Sequence, residues 1–193
     1  MAKKNYEFRP DKTGSGLLGR LYLTRLQRLS VLKWALYSLV LLILSVLQDV
    51  LLCRVSIFGA TTDLVPCGVF MVCLLEGAEH GSLFSLIGAL VYLFSGSSPG
   101  YHVLVLLPFL AVGAAIFRES LLRKSFSSTF LCVSISTTLY ELVIFAMALF
   151  LKLTHAGRFH VALITTGLTV CAIPILYPIM VSISKIGGET WKE

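Results

Sequence analysis

The sequence is poor in charge. Only 13% of its 193 residues are Asp, Glu, Lys or Arg, where a soluble domain carries about a quarter. A water-facing surface can hardly be built from that composition. Several chemistries also lack their marks. The five cysteines, Cys53, Cys67, Cys73, Cys132 and Cys171, form no CxxC and are odd in number. That argues against a disulfide framework or a zinc site and for small buried apolar residues. His80, His102, His155 and His160 lie near the ends of apolar runs, and no two of them are spaced i,i+4 as on a helical metal site. No cofactor or metal is expected. No glycine-rich phosphate loop is present, so ATP hydrolysis is not expected. Gly96-Ser97-Ser98-Pro99-Gly100 fits GxSxG formally. The residue after a nucleophilic serine must donate its N–H to an oxyanion, and Pro99 has none. The segment reads as a turn, and no nucleophile–base pair supports an enzyme. The first apolar run starts near residue 31 and has no small-residue cleavage site after it. It reads as an uncleaved anchor rather than a leader.

Apolar length is what the chain has. Hydrophobic residues make up 56% of it, and the mean hydropathy is +0.87. About 20 apolar residues at 1.5 Å each cross the ~30 Å hydrocarbon core. Runs of that kind are expected at 34–52, 101–117, 130–151 and 161–183, the last bent by Pro174 and Pro178. Two more are short. Residues 64–75 number only twelve, so a crossing there must include Val55 to Ala60. The run from Gly81 to Phe94 follows it closely, and the two suit a tight helical hairpin sheltered by neighbours. The fold class is all-α, a polytopic membrane helical bundle of about six transmembrane helices. It divides into a basic segment 1–33, a bundle 34–185 and a tail 186–193.

Charge sets the expected orientation. Residues 1–33 hold eight of the 16 Lys and Arg. With both termini cytoplasmic, thirteen basic residues lie inside and three outside, a strong positive-inside bias. Leu17, Leu18, Leu21, Leu26 and Leu29 recur at helical spacing between the arginines. Either an interfacial helix or an extension of the first span accounts for this. Arg20, Arg25, Arg28 and Lys33 are the residues expected to meet anionic lipid. Such a basic segment beside a membrane argues against a nucleic-acid partner.

Asp49, Glu76 and Glu141 are carboxylates in or near apolar runs. Ionisable groups in hydrocarbon usually face a bundle interior, a cavity or a partner. Asp49 and Glu76 lie near span ends, where snorkelling to water is expected. Ser134, Thr137, Thr138 and Glu141 share one helix face, best read as hydrogen-bonded within the bundle; its functional readings are a helix-packing seam, a partner site or a small polar cavity. Ala111, Gly113, Ala114 and Ala115, and Gly77-x-x-x-Gly81, permit close helix approach. The candidate partner or packing face is Ala111, Ala115, Ser134, Thr138 and Glu141.

Four features resemble the rod shape-determining protein MreD family across most of residues 30–185. They are Leu47-Gln48 closing the first span, Asp63-Leu64 opening the second, the Glu76-Gly77…Gly81 hairpin into a span with Gly88, and the Ser95–Tyr101 turn into a span closed by Arg118. Thr62-Asp63 stands where members commonly have Pro-Asp, and Tyr92-Leu93-Phe94 where they carry an acidic residue. The resemblance implies a non-enzymatic subunit of the bacterial cell-elongation machinery in the cytoplasmic membrane. Its implied partners are a single-span MreC-like protein and, directly or through it, RodA and a penicillin-binding transpeptidase. The implied fold is similar to the substrate-binding subunits of energy-coupling-factor transporters. A vitamin-type transporter subunit is therefore the alternative, although Leu39 stands where those subunits place the second alanine of an Ala-x-x-x-Ala on span 1.

Overall fold

A computed structural model describes residues 25–50, 52–54, 59–121 and 125–186. Six α-helices make up its regular framework: α1 (Arg25–Val50), α2 (Leu64–Glu76), α3 (Ala78–Ser95), α4 (Val103–Leu121), α5 (Phe126–Phe150) and α6 (Phe159–Ser184). All but α2 are long and apolar enough to cross a membrane. Their lipid-ready faces are plain: Leu42, Ile43, Val105, Phe109, Leu163 and Ile175 are all exposed. α1 is already helical at Arg25, so the basic residues from there to Lys33 extend the first span. The rest of the supposed interfacial stretch, residues 16–24, lies outside the described residues. α6 runs as one helix through Pro174 and Pro178.

The largest departure from expectation is α2. It has 13 residues and starts at Leu64, without the upstream residues a crossing would require. At 1.5 Å per residue it is about 20 Å long, too short for the hydrocarbon core. It is tolerated because it is an axis and not a wall. Twelve of its residues are buried, and it packs against each of the other five helices. No face of α2 meets lipid, so its length is not set by lipid thickness.

A buried helix must satisfy its orphan backbone groups through neighbours. At the start of α2 the side chain of Gln48 on α1 does this in trans. Its Oε1 accepts the N–H groups of Leu64 at 2.9 Å and Val65 at 3.1 Å. The N–H of Asp63 donates to Thr169 Oγ1 of α6 at 3.1 Å. The next residue is Pro66, which has no N–H to satisfy. At the other end a buried Arg118 of α4 donates to the carbonyl of Leu74, placing a cation at a helix C-terminus. Beside it, Glu119 Oε1 accepts the N–H of Ala78 at 3.1 Å.

Gly77, in a left-handed conformation at φ 89°, turns the chain from α2 into α3. The hairpin then closes on glycine. A Cβ at Gly81 would lie 2.7 Å from Cys73 Cα, and one at Gly88 would lie 2.6 Å from Val69 Cγ2. Those glycines are seven apart on one face of α3 and meet residues four apart on α2.

Candidate functional site

Above the start of α2 the bundle holds a polar cavity of ≈320 Å³, lined by Gln48, Thr61, Thr62, Asp63, Tyr92, Ser97, Pro99, Glu141, Ile144 and Thr165. The shortness of α2 creates it. α5 continues nine residues beyond Glu141 and α6 begins six residues before Thr165, roughly 9–14 Å of helix each. These two helices rise past Asp63 as walls.

Asp63 is the fixed point of the cavity. Its two carboxylate oxygens each accept from the hydroxyl of Tyr92 at 2.8 Å. Its Oδ1 also accepts from Gln48 Nε2 at 2.8 Å, the same amide that reaches Ser97 Oγ at 3.5 Å. The single Tyr92 proton is shared between the two oxygens, and an ionised carboxylate acts only as an acceptor, as Asp63 does toward Tyr92 and Gln48. Glu141 enters from α5 and faces the same space. Its carboxylate makes no hydrogen bond or ion pair among the described residues. None of the lining residues is Lys, Arg or His.

Several threonine hydroxyls of the bundle donate within their own helices. Thr137 and Thr138 donate to carbonyls of α5 at Val133 and Ser134, and Thr169 donates to Thr165 of α6. The stripe Ser134, Thr137, Thr138 and Glu141 therefore does not act as one face. Thr137 is buried, Thr138 is exposed and Glu141 lines the cavity. Ser134 Oγ is buried without a partner.

The small residues of α4 divide as well. Ala111 and Ala115 are fully buried, and the Ala111 carbonyl accepts from Cys73 Sγ at 3.3 Å; they pack within the chain. Gly113 and Ala114 instead line an apolar groove of ≈280 Å³ between α4 and α5, with Phe109, Phe117, Ile135 and Ser136. A Cβ at Gly113 would meet nothing within 4 Å.

Two expectations at the opposite end are corrected. Lys33 does not reach outward to lipid; it pairs with Glu76, the two side chains being 12% and 9% exposed. Glu76 does not snorkel: besides that pair it accepts the Tyr37 hydroxyl at 2.7 Å. Desolvating either charge alone is costly, so each turns inward to the other. Glu76 and His80 are four residues apart but belong to different helices, and His80 stacks on Trp34 at 6.1 Å. Arg28 is exposed. Arg20 and the Arg25 side chain lie outside the described residues. Cys67, Cys73 and Cys132 are buried free thiols, and Cys171 is exposed. Among the described residues no cluster of three His, Cys, Asp or Glu could hold a metal.

Sequence reasoning missed Gln48 and Asp63 as a pair and placed no role on Tyr92. The available signal was weak: a glutamine closing one apolar run and an aspartate opening the next. No protein-family model matches the chain, and neither the curated proteins nor the solved structures contain a match.

Proposed function

We propose that this chain is a non-enzymatic membrane scaffold or regulator of the bacterial cell-elongation machinery, of the MreD kind. It sits in the cytoplasmic membrane with both termini inside, as thirteen basic residues against three favour. The observation that carries the reading is where the resembling residues meet. Gln48, Asp63 and Ser97 gather at one end of α2. Gly77 and Arg118 close the other end, and Gly81 and Gly88 seat α3 between them. Short motifs scattered over some seventy residues thus serve one device, the burial of α2.

The partner in this reading is a single-span MreC-like helix, with RodA and a penicillin-binding transpeptidase reached directly or through it. The groove on α4 and α5 is its seat. Small residues at its floor let backbones approach, which drives helix association in lipid. The alternative, a substrate-binding transporter subunit, draws its support from the polar cavity. Co-purification separates them. A tagged chain should capture the single-span partner in mild detergent, and Gly113→Leu with Ala114→Leu should cut capture about tenfold, or ~1.4 kcal/mol, while insertion is unchanged. A vitamin retained through extraction, with no partner captured, would overturn the scaffold reading.

A further inference from the structure

We propose that this chain holds the bilayer at two heights: the α5–α6 tip rests among lipid headgroups, while the membrane is thinned beside α3 and α4. The inference goes beyond the elongation reading and does not depend on it. It needs only that the bundle spans a membrane, and it holds in either orientation.

The first boundary is polar. The turn from Ser95 to Tyr101 joins α3 to α4. The N–H groups of Ser97, Ser98 and Gly100 take part in none of the backbone hydrogen bonds of the described residues, and Gly96, Ser97 and Pro99 are exposed. Irregular backbone does not face hydrocarbon, so the lipid surface on this side lies no higher than the turn. The second boundary is apolar. The tip between α5 and α6 exposes Phe150, Leu151, Leu153 and Phe159, Phe150 by 87%. Side chains so placed gain by leaving water. Lys152, His155 and Arg158 stand among them, all exposed. Aromatic and basic side chains anchor a helix end at headgroup level, which sets the lipid surface on this side at the tip.

The two boundaries are not level. Ser97 Oγ lies 3.5 Å from Gln48 Nε2, and Ser97 and Pro99 line the same cavity as Ile144 of α5 and Thr165 of α6. From there α5 runs on to Phe150, and α6 has already begun at Phe159, a rise of about 9 Å along each axis. Helix length agrees. α3 and α4 have 18 and 19 residues, about 27–29 Å, whereas α5 and α6 have 25 and 26, about 37–39 Å. Tilting the whole bundle moves both ends of every helix together and does not remove this difference, so the lipid adjusts, as it does under hydrophobic mismatch. The lowered surface also lets Asp63 and Glu141, in a cavity with no basic side chain in its lining, meet water instead of hydrocarbon.

The test places a nitroxide at each boundary. p-Acetylphenylalanine, labelled through its ketone, replaces Phe150 in one full-length variant and Tyr101 in another. Both native side chains are aromatic and almost fully exposed, so neither supports the core, and an unchanged Tm reports folding. Phe94, exposed at the same end of α3, serves should the Tyr101 variant fail to fold. In dioleoylphosphatidylcholine vesicles, power saturation with oxygen and with an aqueous nickel chelate gives the depth of each label beneath its local lipid surface. Both labels should report the headgroup boundary. Any other pair of depths overturns the proposal. A Phe150 label in water leaves the tip standing clear of a flat bilayer, and a Tyr101 label deep in hydrocarbon leaves the membrane unthinned.

Discussion

Gln48 does at one residue what a capping box does within a helix. Its amide oxygen serves two N–H groups of α2, and its nitrogen holds Asp63. Leucine is close in size and more apolar, so hydropathy would favour Gln48→Leu. The physics points the other way, since two buried donors would lose their acceptor. Each unsatisfied group costs about 1–3 kcal/mol, so the variant should lose roughly 2–4 kcal/mol in reversible unfolding in mixed micelles. Glycine offers a paired comparison at the same scale. Gly81→Ala drives a methyl into the Cys73 backbone and Gly113→Ala fills empty space. Overpacking costs about 1–3 kcal/mol, so the first should lower stability by that much. The second should leave it within about 0.5 kcal/mol. Equal effects would remove the close α2–α3 contact from the account.

At the scale of the element, α2 stands apart from the other five helices. It is the most apolar of the six, but its ~20 Å length does not span lipid. Its stability comes from neighbours at both ends: Gln48 and Thr169 at the start, Arg118 at the finish. Fused alone between glycosylation reporters, residues 64–76 should fail to insert as a full crossing, whereas residues 126–150 should insert. The Lys33–Glu76 pair tests how α1 holds the end of α2. Breaking a fully buried pair from one side costs about 3–5 kcal/mol, and this pair is only partly buried. Lys33→Met should therefore cost less than that, and the added change Glu76→Gln should recover much of it, as measured by a double-mutant cycle in the same unfolding assay.

For the whole molecule, orientation decides what the cavity and the groove can meet. With the termini inside, Lys33, Glu76 and Arg118 lie toward the cytoplasm and the cavity opens toward the outer face. Cysteine-accessibility labelling in intact cells should then modify a cysteine placed at Ser97 from outside. A tag at either terminus should be reached only after permeabilisation. The reverse pattern would turn the bundle over and give the cavity cytoplasmic access.

What the sequence determined by itself was the class and most of the boundaries. Hydropathy is a sum over neighbours in the chain. Long apolar runs therefore announced α4, α5 and α6 to within a few residues, and the end of α1 though not its start nine residues earlier; the short run before Ser95 announced α3. Faces were not legible. In a bilayer the residues toward lipid and those toward the core are both apolar, so periodicity could not say that Ala111 and Ala115 turn inward while Gly113 and Ala114 turn out. Only the tertiary structure decided that α2 is a buried axis, that Lys33 and Glu76 neutralise each other, and that Gln48, Asp63, Tyr92 and Glu141 meet. The direct contacts among them join residues 15 to 43 positions apart in the chain. Each depends on which helix lies beside which, and composition carries no record of that.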